Sequence, residues 1–223
     1  GRYDGSNKLG RTATARWLPT WNVSASWNIS DEKFWPKGNI LSGAKLRGSY
    51  GLVASIGNAT NSAAVFYNQV SRRPTLGDQE TQIFISNLEN SELTWEKAKD
   101  LNIGLDLALV KNRINFTVEY YKRNIYDLIG GIQTSGIGGE YTKIANYGAM
   151  SGSGFELAIM GKAIDGPNFK WTTNFNFGIN KNKVKDLEID PSIFKSVSNN
   201  GSAVLNYPQR SLFSIQFAGL NHD

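Results

Sequence analysis

The chain has 223 residues, 24 Lys and Arg against 19 Asp and Glu for a net charge of +5, a single His and no Cys. Without Cys there is no disulfide framework, thiolate zinc site or cysteine nucleophile, and one histidine, His222, leaves little for imidazole catalysis or a His-rich metal site. The basic excess is scattered rather than gathered into stripes, which argues against a nucleic-acid binder. Aromatic residues reach 12%, Gly and Asn stand at 23 each, and hydrophobics are only 40%, a mixture that favours strands and turns over helices. No stretch approaches the ~18 consecutive apolar residues of a membrane helix, and the N-terminus has neither an initiator Met nor the apolar core of a signal peptide. The expectation is therefore an internal piece of a longer chain.

Period-two alternation dominates from end to end. Between Trp21 and Ile29, Val23, Ala25, Trp27 and Ile29 alternate with Asn22, Ser24, Ser26 and Asn28. A weaker strand is predicted over Ala44 to Val53. Leu101, Ile103, Leu105, Leu107 and Leu109 alternate with Asn102, Gly104, Asp106 and Ala108; Ile114, Phe116, Val118 and Tyr120 alternate with Asn115, Thr117 and Glu119. Phe155, Leu157 and Ile159 form a shorter run, and Phe169 to Ile179 gives the clearest one. Ser211 to Gly219 is a weak last strand. The prediction is an all-β chain of about seven antiparallel strands, with no helical period competing.

Alternation of this kind suits a soluble β-sandwich, such as a carbohydrate-binding module, as well as a membrane barrel. Three features separate them. Leu101 to Val110 and Lys170 to Ile179 are ten residues each; at about 3.3 Å per residue and ~45° tilt they cover roughly 23 Å, close to the apolar band of a transmembrane barrel. Connectors alternate between short (Lys111 to Arg113, Ile164 to Pro167 and, at intermediate length, Ser30 to Gly43) and long (Gly57 to Glu96, Gly130 to Ala145, Glu188 to Gln209), as tight turns and long outer loops would. Trp17, Trp21, Trp27, Phe34, Trp35, Trp95, Tyr120, Tyr121, Tyr126 and Trp171 gather near predicted strand ends, where interfacial girdles sit. The fold expected is part of a large transmembrane β-barrel.

Several segments also resemble a known family. Arg2, Asp4-Gly5-Ser6 and Leu9-Gly10; Leu18-Pro19-Thr20 followed by Ser24 to Phe34; Ala44-Lys45-Leu46-Arg47-Gly48-Ser49-Tyr50-Gly51 with Gly57-Asn58; Leu93-Thr94-Trp95-Glu96-Lys97 with Asn102 to Asp106, Asn112-Arg113-Ile114 and Glu119-Tyr120-Tyr121; and Asn146-Tyr147-Gly148 through Gly154-Phe155-Glu156 occur in the order found in SusC/RagA TonB-linked outer-membrane transporters. The chain departs from that pattern at Gly152, where a second Asn is usual.

That resemblance implies that residues 1–223 are a partial barrel whose plug, early strands and C-terminal strand lie elsewhere. It further implies a bacterial outer-membrane importer of oligosaccharides or peptides, with a SusD-like lipoprotein lid and TonB reached through an N-terminal region. No covalent chemistry and no cofactor are implied. If the apolar face meets lipid, Asn102, Asp106, Asn115, Thr117, Glu119, Asn174, Asn176 and Asn180 face the lumen. Among loop residues, Tyr67, Arg72, Arg73, Tyr141 and Tyr207 have side chains suited to cargo or lid. The glycines at 130–131 and 136–139 lack the strand-turn-helix setting and the Lys-Ser/Thr ending of a phosphate loop, and read as outer loop.

Overall fold

The computed structural model describes residues 1–36, 38, 40–57, 59, 62–72, 79–137, 142–188, 197, 203–217 and 219. Its strands are β1 (Arg2–Gly5), β2 (Trp17–Asn28), β3 (Leu41–Ser55), β4 (Val65–Arg72), β5 (Gln79–Asn87), β6 (Glu96–Leu109), β7 (Ile114–Gln133), β8 (Thr142–Asp165) and β9 (Lys170–Leu187), with a one-turn helix, α1 (Ala13–Arg16), before β2. Seven strands pair antiparallel in the order β1-β2-β3-β6-β7-β8-β9, while β4 and β5 form a separate two-stranded ribbon. Each strand of the large sheet lies beside its neighbour in sequence apart from the excursion through the ribbon, so the sheet is a meander.

Register turns the sequence alternation into two chemically different faces. Opposed residues of antiparallel strands share a face, and successive residues point to opposite faces. Trp27, Leu46, Leu105, Val118, Leu157 and Phe177 therefore form one row across six strands. Ala25, Gly48, Ile103, Tyr120, Phe155 and Ile179 form the next. No second sheet covers these rows among the described residues: Ile103 is 46% and Phe175 53% exposed. The two-layer sandwich is thereby excluded, because its apolar face would be sealed.

The strands differ from expectation chiefly in length. β7, β8 and β9 run for 20, 24 and 18 residues, about twice the length that alternation marks. The segment Gly130 to Ala145, expected as a loop, is mostly the continuation of β7 and β8, and the connector from Gly57 to Glu96 contains the β4–β5 ribbon. Beyond the apolar rows Leu128, Ile129 and Ile144 no longer keep strict alternation and the β7–β8 register shifts, so the period-two signal fades although backbone pairing continues. Ser211 to Gly219, expected as a strand, has none in its described residues. Its place in the count of seven is taken by β1, four residues too short to show a pattern.

A small core caps the long-loop end of the sheet. Leu9, Ala59, Leu93, Trp95 and Ile129 are buried together, with Leu18, Ala54, Ile56 and Ile144 packed against them. Trp95, expected in an interfacial girdle, is only 8% exposed, and its indole N–H donates to the Arg16 carbonyl at 2.9 Å. Gly10 passes so close to Ser91 that a Cβ would stand 2.1 Å from that carbonyl oxygen. Asn146 ties the cluster to β7 and β8: its amide donates to the Thr94 and Asp127 carbonyls at 2.9 and 2.7 Å, and its oxygen accepts from the Thr94 N–H at 2.9 Å. At the opposite end the β6–β7 turn holds Val110, Lys111 and Asn112 at φ of 51°, 54° and 63°. For a β-branched residue such as Val110 that is a strained backbone.

Two outcomes test these features. Asn146→Ala leaves part-buried backbone groups unpaired and should lower unfolding stability by about 3 kcal/mol, read as a shift of the urea midpoint. Val110→Gly should raise the midpoint by the equivalent of about 1 kcal/mol, since glycine adopts positive φ without strain.

Candidate functional site

All eight polar positions singled out in the sequence share the face opposite the apolar rows. Asp106 stands opposite Thr117, Thr117 opposite Ala158, and Ala158 opposite Asn176. Asn102 leads across Tyr121 and Gly154 to Asn180, and Asn115 across Met160 to Asn174. Glu119 is flanked by Gly104 on β6 and Glu156 on β8. The sheet thus gathers residues from four strands into one polar wall.

At its centre is a residue that the motif reading left without a role. Arg47 donates through Nε to Asp106 at 3.0 Å and through Nη2 to Glu119, while Thr117 Oγ1 donates to the second Asp106 oxygen at 2.9 Å. The arginine lies flat over Gly104, where a Cβ would come within 2.9 Å of the guanidinium carbon. Glu119 and Glu156 face each other directly, a repulsive pairing that Arg47 offsets on one side only. Glu156 itself has no ion pair among the described residues. The Lys-Leu-Arg alternation is the signal that could have put Arg47 on the polar face; its carboxylate partners, 59 and 72 residues away, needed the register. A shallow cavity opens over Ser24, Ser26, Arg47, Ser49, Asn102 and Glu119. Tyr121, expected in a girdle, instead covers Gly154 on this polar face.

The loop candidates do not come together as one site. Tyr67 stacks on Phe84 across the β4–β5 ribbon, ring centroids 5.6 Å apart. Tyr207 meets Phe213 edge-on at 5.1 Å, and its backbone carbonyl accepts from the Val184 N–H. Arg72 ends β4; its side chain, together with Arg73 and Tyr141, lies outside the described residues. At the head of the sheet Thr20 Oγ1 donates to Asp4 at 2.8 Å, and this bond, helped by Arg2, holds the Asp4 carboxyl below its ordinary range.

On the apolar face the band runs obliquely across the strands. Its upper limit is Ile179 on β9, where Lys181 follows, but Leu101 on β6 lies one row higher and Leu52 on β3 a row higher again. Its lower limit climbs in the same sense, from the turn level at Leu109 and Ile114 to Trp27 on β2, two rows above. Exposed aromatics mark both limits: Trp17, stacked on Tyr3, and Trp21 against Tyr50 above; Trp27 against Phe34, and Trp171, below. A flat apolar slab crossing tilted strands produces this oblique band.

A single-layer antiparallel meander, greasy on one face, polar on the other and crossed by a tilted aromatic-edged band, defines a section of outer-membrane β-barrel wall. The sequence pattern of the family described as "TonB dependent receptor-like, beta-barrel" matches residues 1–221. Among curated proteins, TonB-dependent receptor P39 of Formosa agariphila is 32% identical over 192 residues, covering 83% of this chain and 17% of its own length. TonB-dependent receptor P3 of the same organism is 29% identical over 194 residues (86% and 19%). TonB-dependent receptor SusC of Bacteroides thetaiotaomicron is 28% identical over 191 residues (83% and 19%). The solved RagAB peptide transporter shares the fold with a TM-score of 0.78 at 23% identity, over 93% of this chain and 22% of that one. The chain belongs to the TonB-dependent receptor-like β-barrel family. It spans about a fifth of the length of the curated relatives it matches.

The polar cluster should contribute little to stability. Its side chains are 36–41% exposed, so solvent screens the ion pairs. A double-mutant cycle of Arg47→Ala with Asp106→Ala should return a coupling of about 1 kcal/mol or less. A value above about 2 kcal/mol would mean that the wall is held together by this network.

Proposed function

We propose that the chain is one stretch of the barrel wall of a TonB-dependent importer that carries oligosaccharides or peptides across the outer membrane, under a SusD-like surface lipoprotein. The family assignment over 221 residues together with the two-faced single-layer sheet supports this reading most directly. The peptide class rests on the likeness to the RagAB peptide importer, and the oligosaccharide class on the resemblance of the sequence to the SusC/RagA transporters. Energy would come from TonB through an N-terminal region of the whole protein.

In this reading Asn102, Asp106, Asn115, Thr117, Glu119, Asn174, Asn176 and Asn180 line the lumen, where amide and carboxylate groups stay hydrated or meet the plug. The Arg47 cluster gives that wall fixed charges of both signs, and unpaired Glu156 leaves it a site for a cation from the plug or cargo. The ribbon of β4 and β5 stands at the lid side. Two strands alone are marginally stable, and its exposed Phe66, Val70 and Ile83 on one side and stacked Tyr67 and Phe84 on the other favour contact with cargo or lid. Arg72, Arg73, Tyr141 and Tyr207 are the remaining loop candidates.

The chain has no Cys, so single cysteines introduced into it report each face in the full-length protein once any native cysteine elsewhere has been replaced. Cysteines at Asn102, Asp106 and Asn176 should react with a charged maleimide. Those at Ile103, Leu105 and Phe177 should resist it and, carrying a fluorophore, be quenched by nitroxide lipids. Reversal of the two sets would end the lumen assignment. Tyr67→Ala should raise the half-saturating cargo concentration for uptake by about fivefold while leaving the level of inserted protein unchanged.

A further inference from the structure

Immediately beyond the apolar band, on the same outward face, two consecutive rows turn basic. The first row reads Leu101, Lys122, Ser153 and Lys181 across β6, β7, β8 and β9; the second reads Lys99, Asn124, Ser151 and Lys183. The row on the other side of this border, Ile103, Tyr120, Phe155 and Ile179, is wholly apolar. Strands stand about 4.8 Å apart and same-face neighbours along a strand about 6.8 Å apart. The four ammonium groups therefore fall within a patch roughly 15 Å wide and two rows deep.

Among the described residues nothing neutralises them. The two rows contain no Asp or Glu, and no described carboxylate pairs with any of the four lysines. Carboxylates enter only one row further out, where Asp127 takes Lys97 at 2.7 Å and Asp186 stands opposite Ala149. The contrast with the inner face is sharp, since there Arg47 and Arg123 are each met by carboxylates. Lys99 is held in place by the Tyr126 ring, 5.6 Å from its centroid, which keeps its charge at the border rather than out in solvent. Serine and asparagine hydroxyls and amides between the lysines add donors but no opposing charge.

We propose that Lys99, Lys122, Lys181 and Lys183 form a docking patch for the phosphate groups of outer-leaflet lipids. The proposal rests on the outer-membrane reading above, with the long connectors facing outward. The patch sits where the hydrocarbon ends and headgroups begin, with the complementary charge and with acyl chains accommodated by the apolar rows below it. Each lysine beside an anionic surface strengthens binding by about fivefold.

The test uses the full-length transporter that contains this chain, purified in mild detergent, with native mass spectrometry reporting retained lipid. The probe is a glucosamine-disaccharide lipid carrying two phosphate monoesters, compared with the same lipid after enzymatic dephosphorylation. The wild type should prefer the phosphorylated form by about tenfold or more. Lys99→Gln, Lys122→Gln, Lys181→Gln and Lys183→Gln together should abolish that preference, Arg at the same positions should restore it, and Lys111→Gln with Lys170→Gln at the opposite rim should leave it intact. Should the fourfold variant fail to insert, Lys122→Gln with Lys181→Gln alone should reduce the preference severalfold. Equal retention of both lipids by the wild type, or an unchanged preference in the variants, overturns the patch while leaving the membrane wall standing. Retention of neither lipid would overturn the membrane reading itself.

Discussion

The structure depends on the two faces of one sheet meeting two different media. With no protein layer over Ile103, Leu105 and Leu107, the side chains there gain stability only if hydrocarbon replaces water. Hydrocarbon cannot bond an unpaired amide, so every strand inside the band must be paired on both sides. Only closure with further strands can meet that requirement at the two edges of this sheet. The oblique course of the band follows from the same constraint, because a membrane is flat and the strands that cross it are tilted. A soluble sandwich buries its apolar face against a mobile partner sheet; here the partner is a slab of fixed thickness, and the sequence has to respect that thickness on every strand.

Outside the slab the source of stability changes. At the long-loop end the strands continue, and water competes for every backbone group. There the chain builds a small protein core of its own, around Leu9, Leu93 and Trp95, and clamps it with the three bonds of Asn146. The strands that run beyond the slab need this base, since lipid cannot anchor them. The other end has no such core among its described residues. Its turns are short, and the β6–β7 turn accepts three consecutive residues at positive φ to reverse the chain within four positions.

The inner wall follows a third rule, filling without sealing. Gly104 and Gly154 leave the wall low enough for Arg47 and Tyr121 to lie across it. Large side chains thus spread along the polar face instead of projecting from it. The charges they carry are matched in part, at Asp106 and Glu119, and left open in part, at Glu156.

How much of this is legible in the residues varies with the physics behind each feature. Alternation in Leu101 to Leu109 and in Phe169 to Ile179 is imposed by contact with two media, so the sequence by itself determined the all-β class, the strands inside the band and the eight polar positions on a common face. Beyond the band apolar residues no longer alternate strictly, and the outer halves of β7 and β8, the β4–β5 ribbon and the absence of a strand among the described residues of Ser211 to Gly219 were decided only by tertiary pairing. The same holds for Trp95 and Tyr121. An aromatic at a strand end suits an interface, a core or a glycine neighbour equally well until the register says which it meets. Arg47 with its two distant carboxylates, and the lysine rows spread over three strands, exist only once those strands are in line, because hydrogen-bonded register sets which residues become neighbours and local sequence does not encode it.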